Sequence, residues 1–199
     1  MKYAHKGQGF TLVEIAVVLV IVGLIVGTLA PLMMSMIKKD KLKNGRDTVQ
    51  RARDEIIGYT MINNGKLPSS INALSHRLDP WGNPIFLIVD PNLPNRDICS
   101  VNLGDSDLLS IIFYQASGGG VCSNSNILNN IVCIIGSKGP DYNRQISGLA
   151  SHNRVGILDY GCQNDLFPAD NAGLSSNRPF DDIYEYISLS EIKSRVCSP

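Results

Sequence analysis

The 199-residue chain carries no excess of either charge, because 18 basic and 18 acidic side chains balance. A balanced surface gives no electrostatic footprint for nucleic acid, so no nucleic-acid partner is expected. Tryptophan occurs once and histidine three times. His5 lies near the start, and His76 and His152 stand alone in polar stretches, at no spacing that holds a metal or serves a nucleophile. No CxxC pair and no HExxH motif occurs, and Gly118-Gly119-Gly120 lacks the lysine of a phosphate-binding loop. No catalytic residue is assigned, and an enzyme is not expected. Internal repeats and low-complexity linkers are also missing. With this length, that leaves one folded unit plus an N-terminal extension.

What the chain does have is one long apolar run. From Ile15 to Ile37 only Gly23, Gly27, Thr28, Pro31 and Ser35 interrupt it. As a helix the run is roughly 35 Å long at 1.5 Å per residue, enough to cross a hydrocarbon core of about 30 Å. Gly23-x-x-x-Gly27 has the small-residue spacing that lets spanning helices approach, a pattern that also arises by chance in such runs. All five cysteines, Cys99, Cys122, Cys133, Cys162 and Cys197, lie beyond the run. That placement fits an oxidising compartment and disulfides, against the alternative of buried free thiols in a cytosolic domain.

A short basic leader, MKYAHKGQG, precedes the run, and Glu14 interrupts the run's start. A carboxylate deep in a spanning helix costs on the order of 3 kcal/mol, so a compensating partner is expected. An ordinary signal peptide has a shorter core and a small-residue cleavage site. A simple signal anchor would explain the length but not Glu14. Lys38, Lys39, Lys41 and Lys43 outnumber the basic residues of the leader, so flanking charge does not set the orientation.

Gly9-Phe10-Thr11-Leu12-Val13-Glu14 resembles the cleavage and methylation motif of type IV prepilins and type II secretion pseudopilins. The resemblance implies cleavage between Gly9 and Phe10 and N-methylation of Phe10 by the prepilin peptidase/methyltransferase. It also implies that Glu14 meets the new N-terminal amine of a sister subunit during assembly on an inner-membrane platform. An ammonium and a carboxylate in low dielectric relieve each other's burial cost, which agrees with that role. Pro31 falls where many pilins carry a helix-interrupting proline, and a kink is expected there. The implied location is a single pass through the inner membrane with the head in the periplasm, then a filament.

After the membrane the helical pattern continues. Leu42, Val49 and Ile56 recur every seven residues with Gly45, Ala52 and Tyr59 between them, flanked by charge. Asn63-Asn64-Gly65 is a stop signal. Short β-rich runs follow at Ile85–Val89, Leu108–Gln115, Ile131–Ile135, Val155–Asp159 and Ile183–Leu189, and a terminal helix capped by Ser190 is expected from Ser190 to Val196. The fold class expected is α+β and pilin-like, a long N-terminal helix packed on a small antiparallel sheet. Its segments are a removed leader (1–9), a transmembrane or filament-core helix (10–37), an amphipathic helix (38–64) and a β-rich head (65–199).

Gly65-Lys66-Leu67-Pro68 and Asp79-Pro80-Trp81-Gly82-Asn83-Pro84 resemble the turn before the first strand of G-type pseudopilins, with Trp81 as a packing anchor. Gly139-Pro140-Asp141-Tyr142-Asn143 and Asp181-Asp182-Ile183 resemble the two halves of that family's calcium loop. The resemblance implies calcium, the one candidate cofactor, on Asp141, Asp181 and Asp182, although a long insertion separates the halves. Cys122 and Cys133 flank ten residues, and closing a loop of that size would stabilise by roughly 3 kcal/mol. Cys162 and Cys197 could tie the insertion to the C-terminus, as pilins often do. The function expected is a filament subunit, either a type II secretion pseudopilin or a minor type IV pilin. The alternative is a pilin-like adhesion or ligand-binding subunit with an enlarged head, and a bitopic membrane protein unrelated to filaments survives only without processing at Gly9.

Overall fold

The computed structural model describes residues 11–117, 121–140, 146, 153–158 and 182–197. The first helix, α1, runs from Leu12 to Ile62, and the chain divides into two compact units after Lys41. In the first unit the apolar side chains of α1 from Leu12 to Ile37 are exposed.

In the second unit α1 is amphipathic. It buries Gly45, Val49, Ala52, Ile56, Ile57 and Thr60, while Arg46, Gln50, Arg51 and Asp54 face water. The stripe is the one its periodicity predicts, except that Leu42 stays exposed and Ile57 and Thr60 join the buried face. Asn64 (φ 54°) and Gly65 (φ 76°) end the helix, the Gly65 N–H reaching back to the Thr60 carbonyl at 3.0 Å. This is the six-residue closure that left-handed residues permit.

Five strands follow: β1 (Phe86–Val89), β2 (Leu109–Ser117), β3 (Val121–Ser137), β4 (Arg154–Leu158) and β5 (Ile183–Ser188). β1 and β2 lie successively along the long β3, pairing with Gly136 to Cys133 and then with Ile131 to Val121, both antiparallel. β5 also pairs antiparallel with β3. β4 runs parallel to β2, with Ser110 opposite Arg154, so the sheet is mixed rather than antiparallel throughout. Sixteen residues separate β3 from β4, and β4 pairs with β2 rather than with β3, the neighbour that a tight hairpin would give it.

The apolar run Ile131–Ile135 is continuous rather than alternating because both sheet faces are buried. Cys133, Ile135 and Ile187 pack with Val49, Ala52 and Ile56 of α1. Phe86, Ile88 and Ile134 form a second cluster with Leu109, Ile111, Ile146, Val155 and Ile157. Each fully buried isoleucine contributes roughly 1.5–3 kcal/mol.

Helix α2 (Leu189–Val196) closes the chain. Its cap is Ser188 rather than Ser190, because the Ser188 hydroxyl accepts the Glu191 N–H at 3.3 Å. Leu189 and Ile192 enter the helix-side core, and Arg53 of α1 pairs with Glu191 while donating to the Tyr186 carbonyl at 3.3 Å.

The disulfide connectivity corrects the expected pairings. Cys197 is bonded to Cys99, with a Cα–Cα distance of 5.6 Å, and Cys133 is a free, buried thiol. Cys122 and Cys133 both belong to β3, eleven residues apart, which is roughly 36 Å along an extended strand against the ~7 Å limit for a bridge. With Cys197 committed to Cys99, a Cys162–Cys197 bond is also ruled out, and Cys162 itself lies outside the described residues. Burial pushes the Cys133 thiol up to about 12, so it is not a reactive thiolate.

A further tie joins α1 to the segment before β1. Glu55 accepts the N–H groups of Ser75 (2.5 Å) and His76 (3.2 Å) and faces the His76 ring at 3.0 Å. Partial burial pushes the Glu55 carboxyl up, but these hydrogen bonds outweigh it and bring it down from 4.5 to about 2. A folded value below the unfolded one adds stability that is complete above about pH 4.5 and is lost as pH falls toward 2. We expect about 1–2 kcal/mol, allowing for solvent screening. Acid titration of thermal stability checks this. Glu55→Gln should flatten the curve between those pH values, and an unchanged slope would remove the tie.

Candidate functional site

Of the sequence-predicted processing residues, Gly9 and Phe10 lie outside the described residues, and the structure begins at Thr11. Thr11 and Glu14 form a reciprocal cap at the start of α1. The Thr11 carbonyl accepts the Ile15 N–H at 3.3 Å and its hydroxyl accepts the Glu14 N–H at 3.3 Å. Glu14 Oε2 in turn accepts the Thr11 N–H at 2.8 Å and the Thr11 hydroxyl at 2.9 Å. Thr11-x-x-Glu14 is thus a capping box, in which each side chain satisfies a donor the helix start would leave open. The pattern was present in the sequence, where Glu14 drew attention as a costly carboxylate and Thr11 did not.

The geometry gives Glu14 a local partner in Thr11. Both of its hydrogen bonds use Oε2, and among the described residues Oε1 accepts none. The N–H and hydroxyl of the cap residue Thr11 orient this carboxylate, and the positive end of the helix dipole favours its charge.

Pro31 lies inside α1, and the helix continues on both sides of it. It cannot donate to the Gly27 carbonyl. One turn away, the Thr28 hydroxyl donates to the carbonyls of Leu24 (3.1 Å) and Ile25 (3.0 Å).

The turn at Asp79–Pro84 is organised by a buried carboxylate. Asp79 Oδ1 accepts the N–H groups of Trp81 (3.0 Å) and Asn83 (2.8 Å), and Oδ2 accepts the Ser137 hydroxyl at 2.7 Å. Gly82 (φ 87°) supplies the left-handed residue that the turn needs. Trp81 lies over Gly45, where a Cβ would meet its ring at 3.1 Å. Asp79 is another residue whose role sequence reasoning missed.

For the calcium expectation, Asp141 and Asp181 fall outside the described residues. Asp182 is buried and its Oδ2 accepts the Ile146 N–H at 3.0 Å, a bond between the start of β5 and the approach to β4. Among the described residues no three His, Cys, Asp or Glu side chains come together in a metal-holding group.

Neither a protein of curated function nor a solved structure matches the chain. The prokaryotic N-terminal methylation motif matches residues 5–30. The match covers the predicted cleavage point, the Thr11–Glu14 capping box and most of the exposed apolar helix. At its N-terminus, this chain carries the signature of the type IV prepilin and pseudopilin family.

Proposed function

We propose that this chain is the precursor of a pilus-like filament subunit. Prepilin peptidase cuts between Gly9 and Phe10 and methylates the new Phe10 amine, and the apolar helix then passes from the inner membrane into a filament of sister subunits. The observation that carries the reading is the methylation motif at residues 5–30. The uncovered apolar length from Leu12 to Ile37 supports it, because a soluble monomer rarely leaves so large a surface exposed to water. Lipid covers that surface first, and other subunits cover it afterwards. The Cys99–Cys197 bond supports a head in an oxidising compartment, here the periplasm. Glu14 Oε1 is the acceptor we assign to the Phe10 ammonium of the adjacent subunit.

The test replaces the two capping residues in turn. Glu14→Ala should leave leader cleavage and head folding intact and reduce incorporation into filaments strongly. Thr11→Val, which keeps the carboxylate but removes the hydroxyl, should cost about 1 kcal/mol of helix-start stability and give a milder assembly defect. Wild-type incorporation of the Glu14→Ala chain would take the carboxylate out of assembly. Co-expression with the assembly platform of each system separates a type II secretion pseudopilin from a minor type IV pilin.

A further inference from the structure

We propose that Lys38, Lys39 and Lys41 form a basic collar that binds the phosphate groups of anionic phospholipids at the downstream face of the membrane. The proposal rests on the membrane-anchored reading given above and goes beyond it by naming a ligand. From Leu12 to Ile37 α1 exposes an apolar surface roughly 39 Å long at 1.5 Å per residue. A hydrocarbon core is about 30 Å thick, and about 40–45 Å with its headgroups. With the capping box near one interface, the first residues after Ile37 fall among the headgroups of the other.

Lys38, Lys39 and Lys41 occupy that depth, and all three are exposed. At 100° per residue they sweep an arc of roughly 160° around the helix, so they form a band rather than a single point. Among the described residues none of the three makes an ion pair. Their long stems can lie along the apolar surface while the ammonium groups sit at headgroup level.

Basic residues flanking a span favour the cytoplasmic side, and here the downstream flank is the more basic one. The Cys99–Cys197 bond nevertheless assigns the downstream part of the chain to an oxidising compartment. The lysines are therefore held on the face that the charge preference disfavours, and they need counter-anions there. Asp40 is one carboxylate among three lysines, so headgroup phosphates supply the further anions at that depth, and each lysine near such a surface raises affinity roughly fivefold.

The experiment uses the full-length, leader-bearing chain in mixed micelles of phosphatidylglycerol and phosphatidylcholine, with bound lipids counted by native mass spectrometry. The natural chain should retain phosphatidylglycerol selectively. The triple variant Lys38→Gln, Lys39→Gln, Lys41→Gln should lose at least about tenfold of that selectivity at low salt, and the triple arginine variant should keep it. An intact Cys99–Cys197 bond in each variant confirms that the head has folded. Inorganic phosphate at millimolar concentration should not displace the lipid. Equal retention of the two lipids, unchanged selectivity in the glutamine variant, or displacement by phosphate would each overturn the proposal. Leader cleavage and assembly play no part in the measurement, so its failure is distinguishable from failure of the filament reading.

Discussion

Breaking the Cys99–Cys197 bond is expected to lower the stability of the head by about 4–5 kcal/mol, because the bond closes a sequence separation of 98 residues. For a unit of this size that corresponds to a fall in melting temperature of roughly 10–15 °C. The bond fastens the end of α2 to the short 3-10 turn Ile98–Ser100, and both cysteines pack against the core that α1 and the sheet share. Cys99→Ser and Cys197→Ser should each show the full loss, and the double variant no more, because the two residues act through one bond. Thermal unfolding of the detergent-solubilised chain, with and without reductant, measures the effect. The natural chain should lose stability in reductant, and each serine variant should show the loss that belongs to this bond already without reductant. A melting temperature that ignores both reduction and substitution would show that α2 is held by packing and by Arg53 alone.

Gly136→Ala has the second largest expected effect. A Cβ at Gly136 would stand 2.6 Å from the Ile183 carbonyl oxygen and 2.5 Å from Phe86 Cζ. Gly136 pairs with Phe86 of β1 and Tyr184 of β5 at once, so relief requires moving a strand rather than turning a side chain. We expect a loss of about 3 kcal/mol. Gly45→Ala meets the flexible tip of Ile183 at 2.7 Å and should cost about 1 kcal/mol. Gly58→Ala, on the exposed face of the same helix with nothing within 4 Å, should instead stabilise by about 0.5–1 kcal/mol. Chemical denaturation of the three variants checks both the order and the change of sign. Equal effects at the three sites would contradict the sheet register around Gly136.

Features encoded by local pattern were legible in the sequence. The exposed apolar helix followed from composition, the end of α1 from Asn63-Asn64-Gly65, and β1, β2, β4, β5 and the Ile131–Ile135 part of β3 from apolar runs between turn residues. The polar first part of β3 reads instead as a loop between Cys122 and Cys133. Long-range pairing was less legible. Nothing near Cys99 in sequence points to Cys197, because their meeting depends on where the 3-10 turn and α2 lie once the sheet has formed. The parallel placement of β4 was hidden for a similar reason, since a strand's own residues do not record which neighbour it joins. Arg53 and Glu55 read as ordinary flanking charge and Asp79 as one residue of a turn, yet each ties two distant segments. At the site itself, the charge of Glu14 overshadowed the hydroxyl of Thr11 that holds it.

The central claim is that residues 1–9 are removed and that the exposed helix begins a mature subunit. Mass spectrometry of the N-terminal peptide, from protein made alongside a prepilin peptidase, tests it most directly. The account predicts a chain that begins at Phe10 and carries one methyl group on its amine, and a Gly9→Ala variant that keeps its leader. An intact Met1–Gly9 segment on assembled protein, or a mature chain starting anywhere else, would contradict it.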